Sequence, residues 1–280
     1  MESYSAAWRR FRENRAAVLA CLIVAAVVLL ALVGPLVNPN HGDALDWQAV
    51  AVAPTRLHAH WFGTDRLGRD LFVRTLEGTQ VSLLVGLIAT LMSLVFGISY
   101  GAVAGFAGGR TDNVMMRIIE IVSGLPLVFF VIVVGVLFGR GPVLLFVSIG
   151  AVSWLTTARI VRGQTLSIVR QPYIEAAIAA GAPPSRIIYR HVIPNLLGPV
   201  VVYATLSIPQ IMLFESFLSF LGLGIQEPNA SLGTLVSQGV GDMEAASWIL
   251  LVPGSLLALL LVALNIFGDG LRDALDVKEA

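Results

Sequence analysis

The sequence predicts an all-α integral membrane protein with six transmembrane helices and both termini on the cytoplasmic side. Three observations carry that prediction. Of 280 residues, 56% are hydrophobic and only 13% charged, with a mean hydropathy of +0.83; soluble domains run about half apolar and about a quarter charged. The apolar residues gather in uncharged runs of membrane-spanning length, about 20 residues at 1.5 Å rise for a ~30 Å hydrocarbon core. The basic residues fall unevenly on alternate connections, which sets orientation.

Residues 1–15 form the first element, a short amphipathic segment with Trp8, Phe11 and four arginines, suited to the inner membrane surface with its aromatics at headgroup depth. The first span is 16–36, with no small-residue cleavage site behind it, only Gly34-Pro35 and Asn38-Pro39. Residues 37–78 make an outer segment too long for a plain connector and too polar to span. Within it Thr64 or Asp65 is placed to cap the helix leading into the second span. His58 and His60 raise the question of a metal, but neither a cysteine nor a third histidine lies nearby, and no metal site is expected. The second span lies within 79–109, where Gly97, Gly101 and Gly105 recur every four residues so that another helix can approach closely.

The third and fourth spans, 121–139 and 141–158, nearly touch through Arg140. The fifth, 196–224, contains Glu215, and the sixth is 245–268. Pro126, Pro209 and Pro253 lie inside apolar spans, where neighbouring helices or a cavity must satisfy the freed backbone groups. With the N-terminus inside, thirteen of the eighteen basic residues fall on cytoplasmic segments and five outside: Arg56, Arg66, Arg69, Arg74 and Arg140. The outer connection after the fifth span holds Glu227, Asp242 and Glu244 and no basic residue.

Composition also excludes functions. The formal net charge is zero, so no global field draws the chain to nucleic acid. The single cysteine, Cys21, precludes an intrachain disulfide. The single lysine, Lys278, is followed by Glu279, and a phosphate-binding Walker A loop needs Lys then Ser or Thr. ATP is therefore not hydrolysed here by that route.

The loop at about 159–195 is the most informative stretch. Pro172 favours a helix start and Glu175 sits in its first turn. Gly181 fits a left-handed C-terminal position, Pro183 opens a second helix, and Pro194 closes it. The expectation is helix, tight bend, helix, with an alanine face that admits a partner's backbone closely. Glu175-Ala176-Ala177, then Gly181, then Ile193-Pro194 match the spacing of the EAA motif, and here the chain resembles the permease subunits of bacterial ABC importers. Ile193 replaces the more usual leucine, and His191 stands where isoleucine is frequent. Phe62-Gly63-Thr64-Asp65 with Gly68-Arg69-Asp70, Ala158 through Gln164, Phe214 through Gly224, and Gly268 through Asp276 are similar to the peptide branch, and nearly the whole chain resembles its C-type oligopeptide subunits.

That resemblance implies a type I importer permease fold in a bacterial inner membrane, with 16–280 as the permease domain and 1–15 as a separate cytoplasmic segment. It implies coupling to ATPases through Glu175, Ala176, Ala177, Gly181, Arg186, His191 and Pro194. It implies a homologous second permease subunit, two ATPase subunits that carry ATP and Mg, and an extracytoplasmic binding protein delivering peptide; related systems carry dipeptides or nickel complexes. No cofactor is expected on this chain. The outer-loop signature is Gly63, Thr64, Asp65, Gly68, Arg69 and Asp70.

Ionisable groups inside spans invite a functional reading. Glu215, beyond Pro209 in the outer half of the fifth span, is expected either to face the pathway or to pair with the second permease subunit. Glu120 is expected to pair with Arg117 at the surface, and Asp269, Arg272 and Asp273 to set the depth of the sixth span. An intramembrane hydrolase would need a nucleophile and base within spans, and neither HExxH nor GxSxG occurs. A secondary transporter would need paired halves or several midplane carboxylates, and at most one is present.

Overall fold

The computed structural model describes residues 2–40, 42–56, 60–139 and 141–275. It is all-helical: α1 (Glu2–Glu13), α2 (Arg15–Val37), α3 (Leu71–Ala107), α4 (Gly109–Ser123), α5 (Leu127–Phe138), α6 (Pro142–Val169), α7 (Pro172–Ala179), α8 (Pro184–Ile187), α9 (Ile193–Phe220), α10 (Leu232–Val240) and α11 (Trp248–Leu275). Among the described residues, five helices are individually long and apolar enough to cross a membrane, counting 184–220 as one; a sixth crossing requires α4 and α5 together, and these are bent by 77°.

Three predicted boundaries move, each for a local reason. The helix leading into the second span, expected to be capped by Thr64 or Asp65, begins at Leu71, because Asp70 is its cap: the Asp70 carboxylate accepts from Val73 N at 2.9 Å. The run expected as one span over 121–139 breaks at Gly124-Leu125-Pro126, with Pro126 at the N-cap of α5. Proline removes a donor and holds its predecessor extended, so Pro126 ends one helix and starts another. At 12 residues, α5 is ~18 Å long, short of a ~30 Å core. The helix expected to stop at Pro194 does not stop. A π-turn over Ile188–Val192 joins α8 to α9, and Pro194 falls in the first turn of α9, where its missing N–H is accommodated.

The α3–α6 seam is the most extensive helix pairing. A β-carbon on Gly97 would approach Thr157 Cβ at 2.5 Å, and one on Gly105 would approach Thr165 Cβ at 2.7 Å. On Gly101 it would press on the Ala158 carbonyl and lie 2.8 Å from Val161 Cβ. The four-residue glycine spacing is thus a packing device, as expected. Ala102, Val161, Ile174, Ile187, Val192, Leu196 and Val200 form one core at the α7 end. Val27, Met212, Leu232, Leu257, Leu260 and Leu264 form another between α2, α9, α10 and α11. Phe11 of α1 is buried against Ala17, Phe267 and Ala274; Trp8 stacks on it and stays exposed.

Gly101→Val should lower the thermal unfolding midpoint in detergent by the equivalent of ~1–3 kcal/mol. Gly135→Ala, where a β-carbon meets nothing within 4 Å, should be neutral or slightly stabilising. Equal effects of the two would contradict the close seam.

Candidate functional site

At one end of the molecule, α7 begins with Pro172 at N1 and Glu175 in its first turn. Its end is closed by paired bonds: Gly181 N donates to Ile178 O at 2.9 Å and Ala182 N to Ala177 O at 3.1 Å. This is the Schellman arrangement, which requires a left-handed residue at the bend, and Gly181 has φ +78°. Pro183 then caps, and Pro184 rather than Pro183 is the first residue of α8. Ile174 and Ile187 are buried and anchor the two short helices in the core. Facing out are Tyr173, Glu175, Ala176, Ile178, Gly181 and Arg186, with Ala177 and His191 half-buried and Pro194 exposed. Tyr173 and His191 rings lie 6.4 Å apart. The result is a stiff knuckle with an exposed face of small, apolar and charged residues, continuous in backbone with α9.

At the opposite end, the predicted signature residues form one interlocked cluster. Gly63 and Gly68 take φ values of +79° and +75°. Asp65 accepts from Leu67 N at 2.8 Å and Arg69 N at 2.9 Å, and its second oxygen takes Arg69 Nε at 2.7 Å. Thr64 bonds to both Ala49 and Val52, and His60 Nδ1 lies 2.9 Å from Asp70 Oδ2. That contact engages His60 within the protein; His58 lies outside the described residues, and no group of three potential metal ligands occurs among those described.

The cluster also reaches across to the second connection on this side. Arg69 Nη2 donates to Glu227 at 2.9 Å, Arg66 pairs with Asp242, and Trp248 Nε1 donates to Thr64 O at 3.3 Å. The hydrogen bond from Arg69 holds the Glu227 carboxyl below the usual glutamate range, against the opposing effect of its partial burial. Arg74, counted simply as an outer basic residue from sequence, is 2% exposed with Nε 3.5 Å from Asp65 Oδ2. Arg74, Glu227, Asp242 and Trp248 are members that sequence reasoning missed. The available signal was charge complementarity, since the first outer connection carries four arginines, Arg56, Arg66, Arg69 and Arg74, and the second only acidic residues.

Glu215 is placed differently from either expectation. It is 0% exposed and enclosed by this chain, so it faces neither an open pathway nor a second subunit. Ser231 Oγ donates to it at 2.6 Å, Ser219 Oγ at 2.7 Å and Ser82 Oγ at 3.4 Å. Ser82 in turn accepts from Leu232 N at 3.0 Å. The carboxyl thereby joins α3, α9 and the capping box of α10. Pro209 is buried inside α9 as well.

Toward the α7 end, Arg162 grips Asp112 through two bonds, Nε–Oδ1 at 2.6 Å and Nη2–Oδ2 at 2.5 Å, fixing α4 on α6. Such fork-to-carboxylate pairing is geometrically specific. Arg117 and Glu120 pair at 2.9 Å on the surface, as expected. Asp269, Arg272 and Asp273 are exposed on the last turns of α11.

These features define a multi-pass helical membrane protein built around a protruding two-helix knuckle, the architecture of an importer permease. The chain belongs to the binding-protein-dependent transport system inner membrane component family, whose model matches residues 97–279. Residues 4–54 match the N-terminal TM domain of oligopeptide transport permease C. Among characterised relatives it is 50% identical to the oligopeptide transport system permease protein OppC of Haemophilus influenzae, covering 97% of this chain and 87% of the relative. It is 49% identical to OppC of Escherichia coli K12, covering 97% and 90%. In fold it is similar to a chain of the inward-facing MetNI methionine ABC transporter, at a TM-score of 0.61 and 20% identity over 74% of this chain and 96% of that one.

Glu215→Ala should destabilise by several kcal/mol, since each stranded buried hydroxyl costs ~1–3 kcal/mol. Glu215→Gln, which keeps an acceptor oxygen, should cost clearly less. Thermal unfolding of the purified protein decides this; equal losses would remove the network's structural role.

Proposed function

We propose that this chain is one pore-forming permease subunit of an ATP-driven importer that moves oligopeptides across the inner membrane by alternating access. A homologous second permease subunit completes the pore, two ATPase subunits bind ATP and Mg, and an extracytoplasmic binding protein delivers peptide. The termini and the α7–α8 knuckle are cytoplasmic in this reading. The chain carries no catalytic group or cofactor of its own.

The observation that carries the reading is mechanical. A lever must be stiff at its handle and continuous with what it moves. The Schellman closure at Gly181 supplies the first property, and the unbroken helix from Pro184 to Phe220 supplies the second. An ATPase gripping the exposed face of α7, with Glu175, Ala176 and Ala177 on or beside it and Arg186 and His191 flanking it, displaces α9 when it moves. Because α9 packs on α3, α10 and α11, the displacement reaches the bundle as a whole. ATP and peptide never meet, so a link between two distant sites is what the transport cycle needs. Identity to the OppC relatives over nearly the full chain supports peptide as the cargo.

The reading is tested by assembling the chain with the two ATPases, second permease and binding protein from the same gene neighbourhood in proteoliposomes. Peptide uptake should require ATP hydrolysis. Gly181→Val should insert normally yet lose most coupled uptake, because a β-branched residue at φ +78° strains the bend by ~1–2 kcal/mol or more. Its ATP hydrolysis should persist at a comparable rate. Full peptide uptake by Gly181→Val would contradict the lever.

A further inference from the structure

Many hydroxyls within the helices are satisfied by their own helix. Ser153 donates to Ile149 O at 2.8 Å, Ser207 to Tyr203 O at 2.8 Å, and Ser148 to Leu144 O at 2.7 Å. By contrast, Thr156 on α6 and Tyr203 and Gln210 on α9 have no side-chain hydrogen bond among the described residues, and all three line one cavity of about 170 Å3. Ile149, Ser153 and Thr156 recur along α6 at steps of four and three, and Tyr203, Ser207, Gln210 and Phe214 recur along α9 at four, three and four. Each set is one helical face, so two stripes look at each other across a groove.

Depth makes the groove informative. From the start of α9, Tyr203 lies ~15 Å and Gln210 ~26 Å along the axis, either side of the middle of a helix ~42 Å long. Polar groups with free bonding capacity at that depth must meet protein or water, since hydrocarbon offers them nothing. No charged residue lines the cavity. A helix of a second subunit would bring a backbone already bonded to itself. An extended chain brings free N–H and C=O groups, and a neutral wall of amide, phenol and hydroxyl can donate to and accept from both.

We infer that this groove is one wall of the substrate passage and binds the main chain of an extended peptide: Thr156, Tyr203 and Gln210 bond to its amides, and Phe214 supplies apolar contact. A wall that addresses the main chain and carries no charge imposes no sign on the side chains that pass. The cavity is too small to enclose a peptide, so the facing subunit completes it. The inference rests on the importer reading and deepens it by naming the contact surface.

The test uses the assembled importer in proteoliposomes. Thr156→Val, Tyr203→Phe and Gln210→Leu, combined, keep the shape and remove the bonding groups. Peptide imported per ATP hydrolysed should fall about tenfold, the scale of one or two lost hydrogen bonds, with subunit assembly unchanged. Gln210→Cys in a Cys21→Ser background should react with a charged, water-soluble maleimide, and an excess of transported peptide during turnover should slow the reaction. Unchanged import per ATP, loss of subunit assembly in the triple variant, or a cysteine inert to the reagent would each overturn the inference, the last two marking the stripe as a subunit seam. The wild-type complex separates the two readings: ATP hydrolysis without any peptide import would overturn the importer reading and this ligand with it, whereas wild-type import beside an unaffected triple variant overturns the groove alone.

Discussion

An uninterrupted backbone from the exposed knuckle to the far end of α9 is the constraint on which the rest of this structure depends. Proline at position 194 ought to have cut it. A proline in a helix interior forfeits a hydrogen bond and crowds the preceding turn, at ~3 kcal/mol or more. The chain avoids the interruption with the π-turn over Ile188–Val192, which widens the helix just ahead of the proline and leaves Pro194 in the first turn of α9. Buried Ile187, Val192 and Leu196 keep the widened segment seated in the core. The same element therefore has a rigid outer corner at Gly181 and a rigid inward continuation.

Around that axis the polar groups do structural work at both ends. The 60–74 segment and the connection after α9 are tied by Arg69–Glu227 and Arg66–Asp242, while Asp65 anchors Arg69 and lies beside buried Arg74. Within the bundle, Glu215 gathers three serine hydroxyls from α3, α9 and the α10 cap. Burying a carboxyl is costly unless its bonds are made, and here this chain alone makes them. That explains why the one carboxyl deep in the fifth span is a fastening rather than a contact for cargo, and why the unfastened side chains on α6 and α9 are the better candidates.

Much of this was legible in the sequence, and the gaps have physical causes. Span locations followed from uncharged runs, the Gly97-Gly101-Gly105 seam from its four-residue spacing, and the knuckle from Pro172, Glu175 and Gly181. Helix ends were less legible, because runs without charge miss helical turns that carry charge. Leu71–Gly78 contains Arg74 and Glu77 yet is helical, capped by Asp70 rather than by Thr64 or Asp65. Pro126 and Pro194 illustrate the ambiguity of proline: one breaks its helix and the other is absorbed, depending on whether the neighbouring turn is free to widen. The partners of Glu215 were out of reach, since Ser82 lies 133 positions away along the chain and nothing local marks it.

The most direct test of the central claim is a pair of spin-label distances within the assembled importer. Labels at Ser185→Cys and Leu213→Cys, both exposed positions, in a Cys21→Ser background span the π-turn, ~42 Å apart along a continuous helix. Between nucleotide-free and ATP-trapped states that distance should stay constant, while the distance from Leu213→Cys to a label on the second permease subunit changes. A knuckle-to-α9 distance that changes between the two states would mean that the helix yields at its π-turn, and the lever would be gone.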